Sequence, residues 1–498
     1  MEVILAGYNI DAEIIAALKE NAADAEKQDI TPETIAAAYA RISRSSAKVN
    51  ELRLAARAEV EAARRSNENI VFEMGHSSIA EHVVFNIDII GVSRLLVEEI
   101  QHFRLCSFTE KSQRYVTLRG DFTLPPEIAG SPLEKNFGET LAEQNRFYRE
   151  ALPLLTRYIQ EKHQSSGAPI SRSLGESLAK EDVRYALSLA MHSQMGMTIN
   201  ARNLELMLRR LRALPLQEAA EFADKLWAIT KPVAPSLLRY TLATEYDLET
   251  RRALRASFDV KTLLGVPLPS SSTKRPVHLV SCLANADNEL LASLLFSSAH
   301  LPLTACRKAV RNMSAAQKKR VFHSAFAKMN SFDVPLREFE NIQLTFELLV
   351  SASCFAQLKR HRMASLHCQP YDVALGVRVP PAIVEVGLRK AFAEVIEKSE
   401  ALYAKLFAYN PQIASYILTN AHRRRVLLTL NARELYHISR LRMDEHAQWD
   451  IREIVTEMVR QARRKMPGTL LLAVGKSDFA QLAAKELGNG ASSSTLPS

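Results

Sequence analysis

Thr198-Ile199-Asn200-Ala201-Arg202 and Thr429-Leu430-Asn431-Ala432-Arg433 are two versions of one pentapeptide, and each opens a Leu-rich amphipathic run. A second pair of related stretches lies upstream. In the first half it reads Gln101-His102-Phe103-Arg104-Leu105-Cys106-Ser107, and in the second Lys359-Arg360-His361-Arg362-Met363-Ala364-Ser365. The same two landmarks in the same order imply two diverged copies of one domain. The copies have kept different polar residues, so a site drawing on both can survive if each retains a different half.

Composition bounds the classes. At 498 residues the chain has room for two or three domains. Its 47% hydrophobic and 24% charged content is that of a globular protein rather than a disordered one. No apolar run reaches the roughly 18 residues that a membrane helix needs. The start, Met1-Glu2-Val3-Ile4-Leu5-Ala6-Gly7, has no basic leader, so no signal peptide is expected. The five cysteines have no metal-ligand spacing, which predicts reduced thiols in a cytoplasm and no metal site. The net charge of +9 suits nucleotides and other small polyanions. The basic residues are dispersed among 55 acids, which argues against a nucleic-acid-binding face.

Patterning places elements along both copies. The first copy, 1–255, opens with a strand over Glu2–Gly7, and Thr31-Pro32-Glu33 signals a helix start. Val83–Ile90 reads as a strand and Ser93–Arg104 as a helix, with Tyr115–Phe122 extended and the remainder mostly helical. Pro267, Pro269 and Ser270-Ser271-Ser272 mark a linker over 256–275. The second copy, 276–487, repeats the order: strands at Pro276–Ser281 and Asn341–Leu349, a helix over Ser351–Arg362, and a long helix from about Thr429. The small polar run 488–498 reads as a disordered tail.

At these landmarks the chain resembles the flavin-dependent thymidylate synthases, whose hallmark is Arg-His-Arg, seven residues, then Ser-x-Arg. A further signature is Asn-x-Arg followed by an Arg and a His, matched at Asn431, Arg433, Arg442 and His446. The resemblance implies the fold class α/β (α+β): two tandem copies of that family's fold, helix-rich with a sheet in each copy. It also implies methylation of dUMP at C5, with FAD as carrier and NADPH and methylenetetrahydrofolate as co-substrates. In that family the sites lie between subunits of a homotetramer. A fused chain would match this as a homodimer, a pseudo-tetramer of domains.

Carried over position by position, the two copies are complementary. In the first, the hallmark opens as His102-Phe103-Arg104, but the seven residues Leu105–Lys111 lead to Ser112-Gln113-Arg114. Glu110 precedes that loop, and Arg184 matches a nucleotide-contacting arginine. Eleven residues beyond Asn200, where the family has the arginine that polarises the pyrimidine, stands Leu211, and Pro215 replaces the following histidine. In the second, Arg360-His361-Arg362 is intact with Gln357 before it, yet Pro370 replaces the serine, Asp372 the arginine, and Ser415 stands where the first copy has Arg184. The resemblance thus assigns Glu110, Ser112, Gln113, Arg114, Arg184, Gln357 and Arg360 to the pyrimidine nucleotide and Arg442 to catalysis. It assigns His76, Ser78, Asn200, Arg202, Arg360, His361, Arg362, Asn431, Arg433, His437 and His446 to the flavin.

The residue types suit that chemistry. Guanidinium forks at Arg114 and Arg184 match phosphate oxygens, with Ser112 donating a hydroxyl. Arg442 against the pyrimidine carbonyl would stabilise charge as C5 becomes nucleophilic, and the i, i+4 spacing places His446 on the same helix face. Plainer readings stand beside these. The asparagines can cap the helices they open, the Arg-His-Arg run can complement a helix C-terminus, and the remaining arginines can be solvated. Cys368, inside the altered loop with no base beside it, reads as an inert thiol. A catalytically silent flavin- or nucleotide-binding protein, or methylation of a different pyrimidine, also fits these residues.

Overall fold

The computed structural model describes residues 1–20, 30–118, 120–258 and 275–488. Most of the expected linker and nearly all of the expected tail lie outside the described residues. The chain divides into two compact units that do not follow the repeat boundaries. The first comprises Met1–Pro269 and Pro380–Thr419, and the second Ser270–Val379 and Asn420–Ser498.

The first unit holds a sheet of β1 (Glu2–Tyr8), β2 (Val84–Ser93), β3 (Ser107–Glu110) and β4 (His192–Asn200). The order is β1-β2-β4-β3, with every pair antiparallel. Phe85, Ile87 and Ile89 are buried between exposed Asn86 and Asp88, the period of two that covers one face. The register slips between Ile90 and Val92, where Gly91 has φ +72°, a conformation a side chain would strain. Past that bulge Val92 and Ser93 both point inward, and Ser93 starts helix α1 (Arg94–Ile100). Helices α2 (Pro132–Ser165), α3 (Arg172–Val183), α4 (Ala201–Arg212) and α5 (Gln217–Thr230) complete the frame used below.

The second unit repeats this plan with β5 (Val277–Cys282), β6 (Gln343–Ser351), β7 (Ser365–Cys368) and β8 (Arg423–Asn431), ordered β5-β6-β8-β7 and antiparallel. Ser351 starts α6 (Ala352–Leu358) as Ser93 starts α1; each serine Oγ accepts a backbone N–H three residues on at 3.0 Å. Helices α7 (Ala432–Arg442) and α8 (Trp449–Arg463) follow β8. Each starting serine is braced by a buried carboxylate from the helix after the Asn-Ala-Arg helix. Ser93 N and Oγ donate to Glu218 at 2.8 and 2.6 Å, and Ser351 Oγ donates to Asp450 at 2.5 Å.

Several expectations need correction. The helices expected to reach Arg104 and Arg362 end at Ile100 and Leu358, because the chain must turn before β3 and β7 join the sheets. The long helix expected from Thr429 is instead strand, helix, loop and helix. Thr429 lies in β8, paired with Thr345 and Ser365, and Met443–Gln448 separates α7 from α8. Strand β4, hidden in a stretch read as helical, buries Met195, Met197 and Ile199. Among the described residues of the stretch expected to be extended, Tyr115–Phe122, Tyr115 lies in a turn and Phe122 alone pairs, as an isolated bridge to Met191.

Within the first unit, residues 380–419 of the second repeat pack against the first repeat. Gln144 Nε2 on α2 donates to Ser399 Oγ at 2.8 Å and to the Ile417 carbonyl at 3.0 Å. Phe147 meets Phe392 edge-on at 5.8 Å, and Lys398 pairs with Glu143 at 2.7 Å. Leu189 and Ala190 N–H groups bond the Leu418 and Tyr416 carbonyls at 2.8 and 2.9 Å. Tyr416 OH, buried, donates to Glu218 at 2.6 Å, so a second-repeat tyrosine shares the carboxylate that braces α1.

Candidate functional site

In the first unit the loop after β3 and the end of α3 bring basic groups together. Arg94, the first residue of α1, is buried and ion-paired with Glu110 at the end of β3. Glu110 also accepts from Gln101 Nε2 and Ser193 Oγ, each at 3.1 Å. Beyond the strand, Ser112 Oγ accepts the Arg114 backbone N–H at 3.1 Å, closing a tight turn that buries Gln113. The Arg114 guanidinium is held by Glu181 on α3, with Nε 2.6 Å from the carboxylate. Arg184 follows α3 and is buried, its Nε bonding the Glu181 carbonyl at 3.3 Å.

Burial depresses the Arg184 pKa below the usual arginine value. Tyr185 and Glu181 oppose that, while the Arg114 and Arg94 charges add to it. An arginine nonetheless stays charged. Arg94 and Arg114 thus both lie within electrostatic reach of Arg184, and Lys180 bonds the Tyr115 carbonyl at 3.4 Å. A cluster of this kind is suited to receive a phosphate. The sequence reading missed Arg94, Lys180 and Glu181. The signal for Arg94 was a lone charge at the head of the apolar Leu95-Leu96-Val97 run.

The equivalent place in the second unit is built differently. Strand register matches Ser193, opposite Val92, with Arg424, opposite Val350. Ala352 stands where α1 has Arg94, and Cys368 where β3 has Glu110. Arg424 instead lies between the rings of Phe355 and Tyr371, at 4.7 and 4.6 Å, and its Nε holds the Gln369 carbonyl at 3.0 Å. Pro370 and Asp372 sit in this loop, where Asp372 caps the turn through the Ala374 N–H at 2.9 Å.

The flavin-assigned residues of the second repeat separate into groups. Arg360 and Arg362 are exposed, whereas His361 between them is 2% exposed. Arg442, half-buried at the end of α7, donates from Nε to His361 Nε2 at 3.0 Å and reaches the Gln357 carbonyl at 3.4 Å. Gln357, also buried, donates to Gln448 at 3.0 Å. His437, exposed on α7, meets the His361 ring edge-on at 5.6 Å. Asn431 caps α7 through the Glu434 N–H at 2.8 Å, and Arg433 is engaged by the Pro335 carbonyl and Glu340.

His446 does not share a helix face with Arg442. Helix α7 stops at Arg442, and Gly475 packs so closely that a Cβ there would lie 2.7 Å from the Met443 carbonyl group. His446 lies exposed in the loop, its Nδ1 2.8 Å from Asp444. Burial alone would raise the Asp444 pKa; the backbone and ring bonds of His446 and the Ser477 N–H outweigh it and hold the pKa low.

In the first repeat, His76 and Ser78 are exposed on the turn after Gly75. Asn200 caps α4 through the Asn203 N–H at 3.0 Å, and Arg202 pairs with Glu81 of that same turn. The structure thus groups His76, Ser78, Asn200 and Arg202, with the last two in structural bonds. Within the second unit, exposed Arg360, Arg362 and His437 are donors of the kind that suits phosphate oxygens and a polar ring edge. Arg202 and Arg433 are each held by a carboxylate of their own unit, Glu81 and Glu340. Among the described residues, no group of His, Cys, Asp or Glu could hold a metal ion, and no helix is long and apolar enough to cross a membrane.

Comparison with known proteins adds the family. The model of the thymidylate synthase complementing protein family matches residues 27–236 and again 284–468. The chain belongs to that family. The double match agrees with two tandem copies. The UPF0159 protein Ta1429 of Thermoplasma acidophilum is 24% identical over 446 residues, spanning 80% of this chain and 86% of its own length. A flavin-dependent thymidylate synthase of Clostridium tetani is 30% identical over 177 residues, 35% of this chain and 68% of its own. A solved structure, the UMP/dUMP methylase PolB of Streptomyces cacaoi bound with 5-Br dUMP, aligns with 40% of this chain and 95% of its own. Its identity is 19% and its TM-score 0.32.

Proposed function

We propose that this member of the family methylates a pyrimidine nucleotide at C5, converting dUMP to dTMP with carbon from methylenetetrahydrofolate and reducing equivalents from NADPH. The observation that carries the reading is the division of labour between the repeats. The first keeps the anion-receiving set Ser112, Gln113, Arg114 and Arg184, and the second keeps Gln357, Arg360 and Arg442. Independent decay would not spare complementary halves so neatly.

The phosphate would take Arg114 and Arg184, whose crowding with Arg94 a bound anion would relieve. Arg442 would face the pyrimidine and stabilise charge as C5 turns nucleophilic. Arg360, Arg362, His76, Ser78, His437 and His446 would hold FAD, with Asn200, Arg202, Asn431 and Arg433 shaping its surroundings. Flavin, when bound, supplies the electron transfer that turns a methylene into a methyl group. The set built from Pro370, Asp372, His102 and Leu211 lacks these groups and would not turn over dUMP.

Purified protein should show a flavin absorbance spectrum and release tritium from C5-labelled dUMP in the presence of methylenetetrahydrofolate and NADPH. A flavin-loaded protein that releases no tritium from dUMP or UMP would sink the enzymatic reading.

A further inference from the structure

We propose that His361, backed by Glu434, is the residue that positions Arg442, rather than a group that contacts the flavin; this deepens the methylation reading and rests on it for its catalytic consequence. The geometry is one-directional. A guanidinium has donors only, so the 3.0 Å contact requires His361 Nε2 to be the acceptor. A neutral imidazole then carries its proton on Nδ1. That atom faces Glu434 Oε1 at 3.7 Å, longer than a hydrogen bond but within ion-pair reach. Neither atom has a hydrogen-bond partner among the described residues, and both are buried.

The surroundings keep the imidazole neutral. Burial pushes its pKa well below the usual value, and Arg442, His437 and Arg360 push the same way. Protonation would turn the Arg442 acceptor into a second donor and break the contact. The Arg442 carbon stem leaves the last turn of α7, just before the loop wedged by Gly475. The His361 bond therefore fixes the guanidinium where the helix no longer can.

The first repeat supplies an internal control. Three positions differ together: Phe103 for His361, Asn203 for Glu434, and Leu211 for Arg442. There Leu211 is 1% exposed in the apolar core, with Phe103 packed against that core. Where the arginine is absent, its imidazole and carboxylate are absent too.

The test uses the full chain, labelled with ¹⁵N-histidine and assigned by difference against His361→Gln. At pH 7.5 we expect a neutral His361 with the proton on Nδ1. An Nε2–H tautomer or an imidazolium would overturn the proposal, whether or not the protein turns over. In kinetics, His361→Phe should lower kcat about 10- to 100-fold, the loss expected for a charge-assisted hydrogen bond, with KM and flavin content within about threefold. Adding His361→Phe to Arg442→Ala should cost nothing beyond the Arg442→Ala loss. His361→Gln, whose amide oxygen can accept from Arg442, should recover most of the rate. Equal losses for Phe and Gln, or additive loss in the double variant, would refute the positioning role. Absence of turnover in the unaltered chain would overturn only the enzymatic reading, because the tautomer measurement decides the contact by itself.

Discussion

Arg114→Ala separates a receiving arginine from a merely structural one. Its guanidinium is half-sheltered and held by Glu181, whose side chain is only 10% exposed. Removing it should cost nucleotide binding one charge-assisted hydrogen bond, about 1.5–3 kcal/mol. That corresponds to roughly a 10- to 150-fold weaker Kd for dUMP. The same change strands a largely buried carboxylate, so a stability loss of about 1–3 kcal/mol accompanies it. Calorimetric titration of dUMP into flavin-loaded protein, well below the variant's melting temperature, reads the first effect free of the second. Asp372→Ala is the control, since among the described residues the Asp372 side chain caps its own turn through Ala374. It should leave Kd within about twofold, below the 1.4 kcal/mol that makes tenfold. A change of less than threefold for Arg114→Ala in a folded protein would refute the assignment of phosphate to this cluster.

Other outcomes follow from the same contacts. Arg442→Ala should lower kcat by about 100-fold or more while the protein keeps its flavin, because its charge is needed only as C5 becomes nucleophilic; stopped-flow and steady-state assays together read this. Titration of the apoprotein with FAD should saturate near one flavin per chain, and one flavin per repeat would contradict the complementary-halves reading. Tyr416→Phe removes one of the donors to buried Glu218 and should destabilise the first unit by about 1.5–3 kcal/mol in urea unfolding, with Ser93 and Thr123 still bonded. His361, its pKa well below the ordinary value, binds a proton only in the unfolded chain as pH falls below about 6.5. Stability should therefore drop by up to about 1.4 kcal/mol per pH unit from 6.5 toward the folded pKa. His361→Gln should lose that component, so a stability gap that stays constant between pH 7.5 and 5.5 would count against it.

Much of the architecture was legible from short motifs. Duplicated Asn-Ala-Arg and the stretches around Arg104 and Arg362 led to two copies, and the family model matches the chain twice. Strands β1, β2, β5 and β6 were readable because their β-rich runs carry the period of two. Strands β4 and β8 were not. Gly196 and Met195 in one, and Arg423-Arg424-Arg425 in the other, have little intrinsic strand preference, and pairing on both sides overrides it.

The sequence by itself determined the inventory: which repeat holds Ser112, Arg114 and Arg184, and which holds Gln357, Arg360 and Arg442. Side-chain type at a motif position is a local property, and it survives in the linear text. The tertiary structure decided what each group touches. It brought Arg94 to Glu110 at the end of β3 and Glu181 to Arg114 on the loop that follows, put Arg424 between two rings in the altered loop, separated His446 from Arg442, and turned His361 inward toward Arg442 and Glu434. These partners lie far apart along the chain, and no periodicity links them. Only the pairing of strands and the ending of α7 at Arg442 bring them within hydrogen-bonding and ion-pair distance.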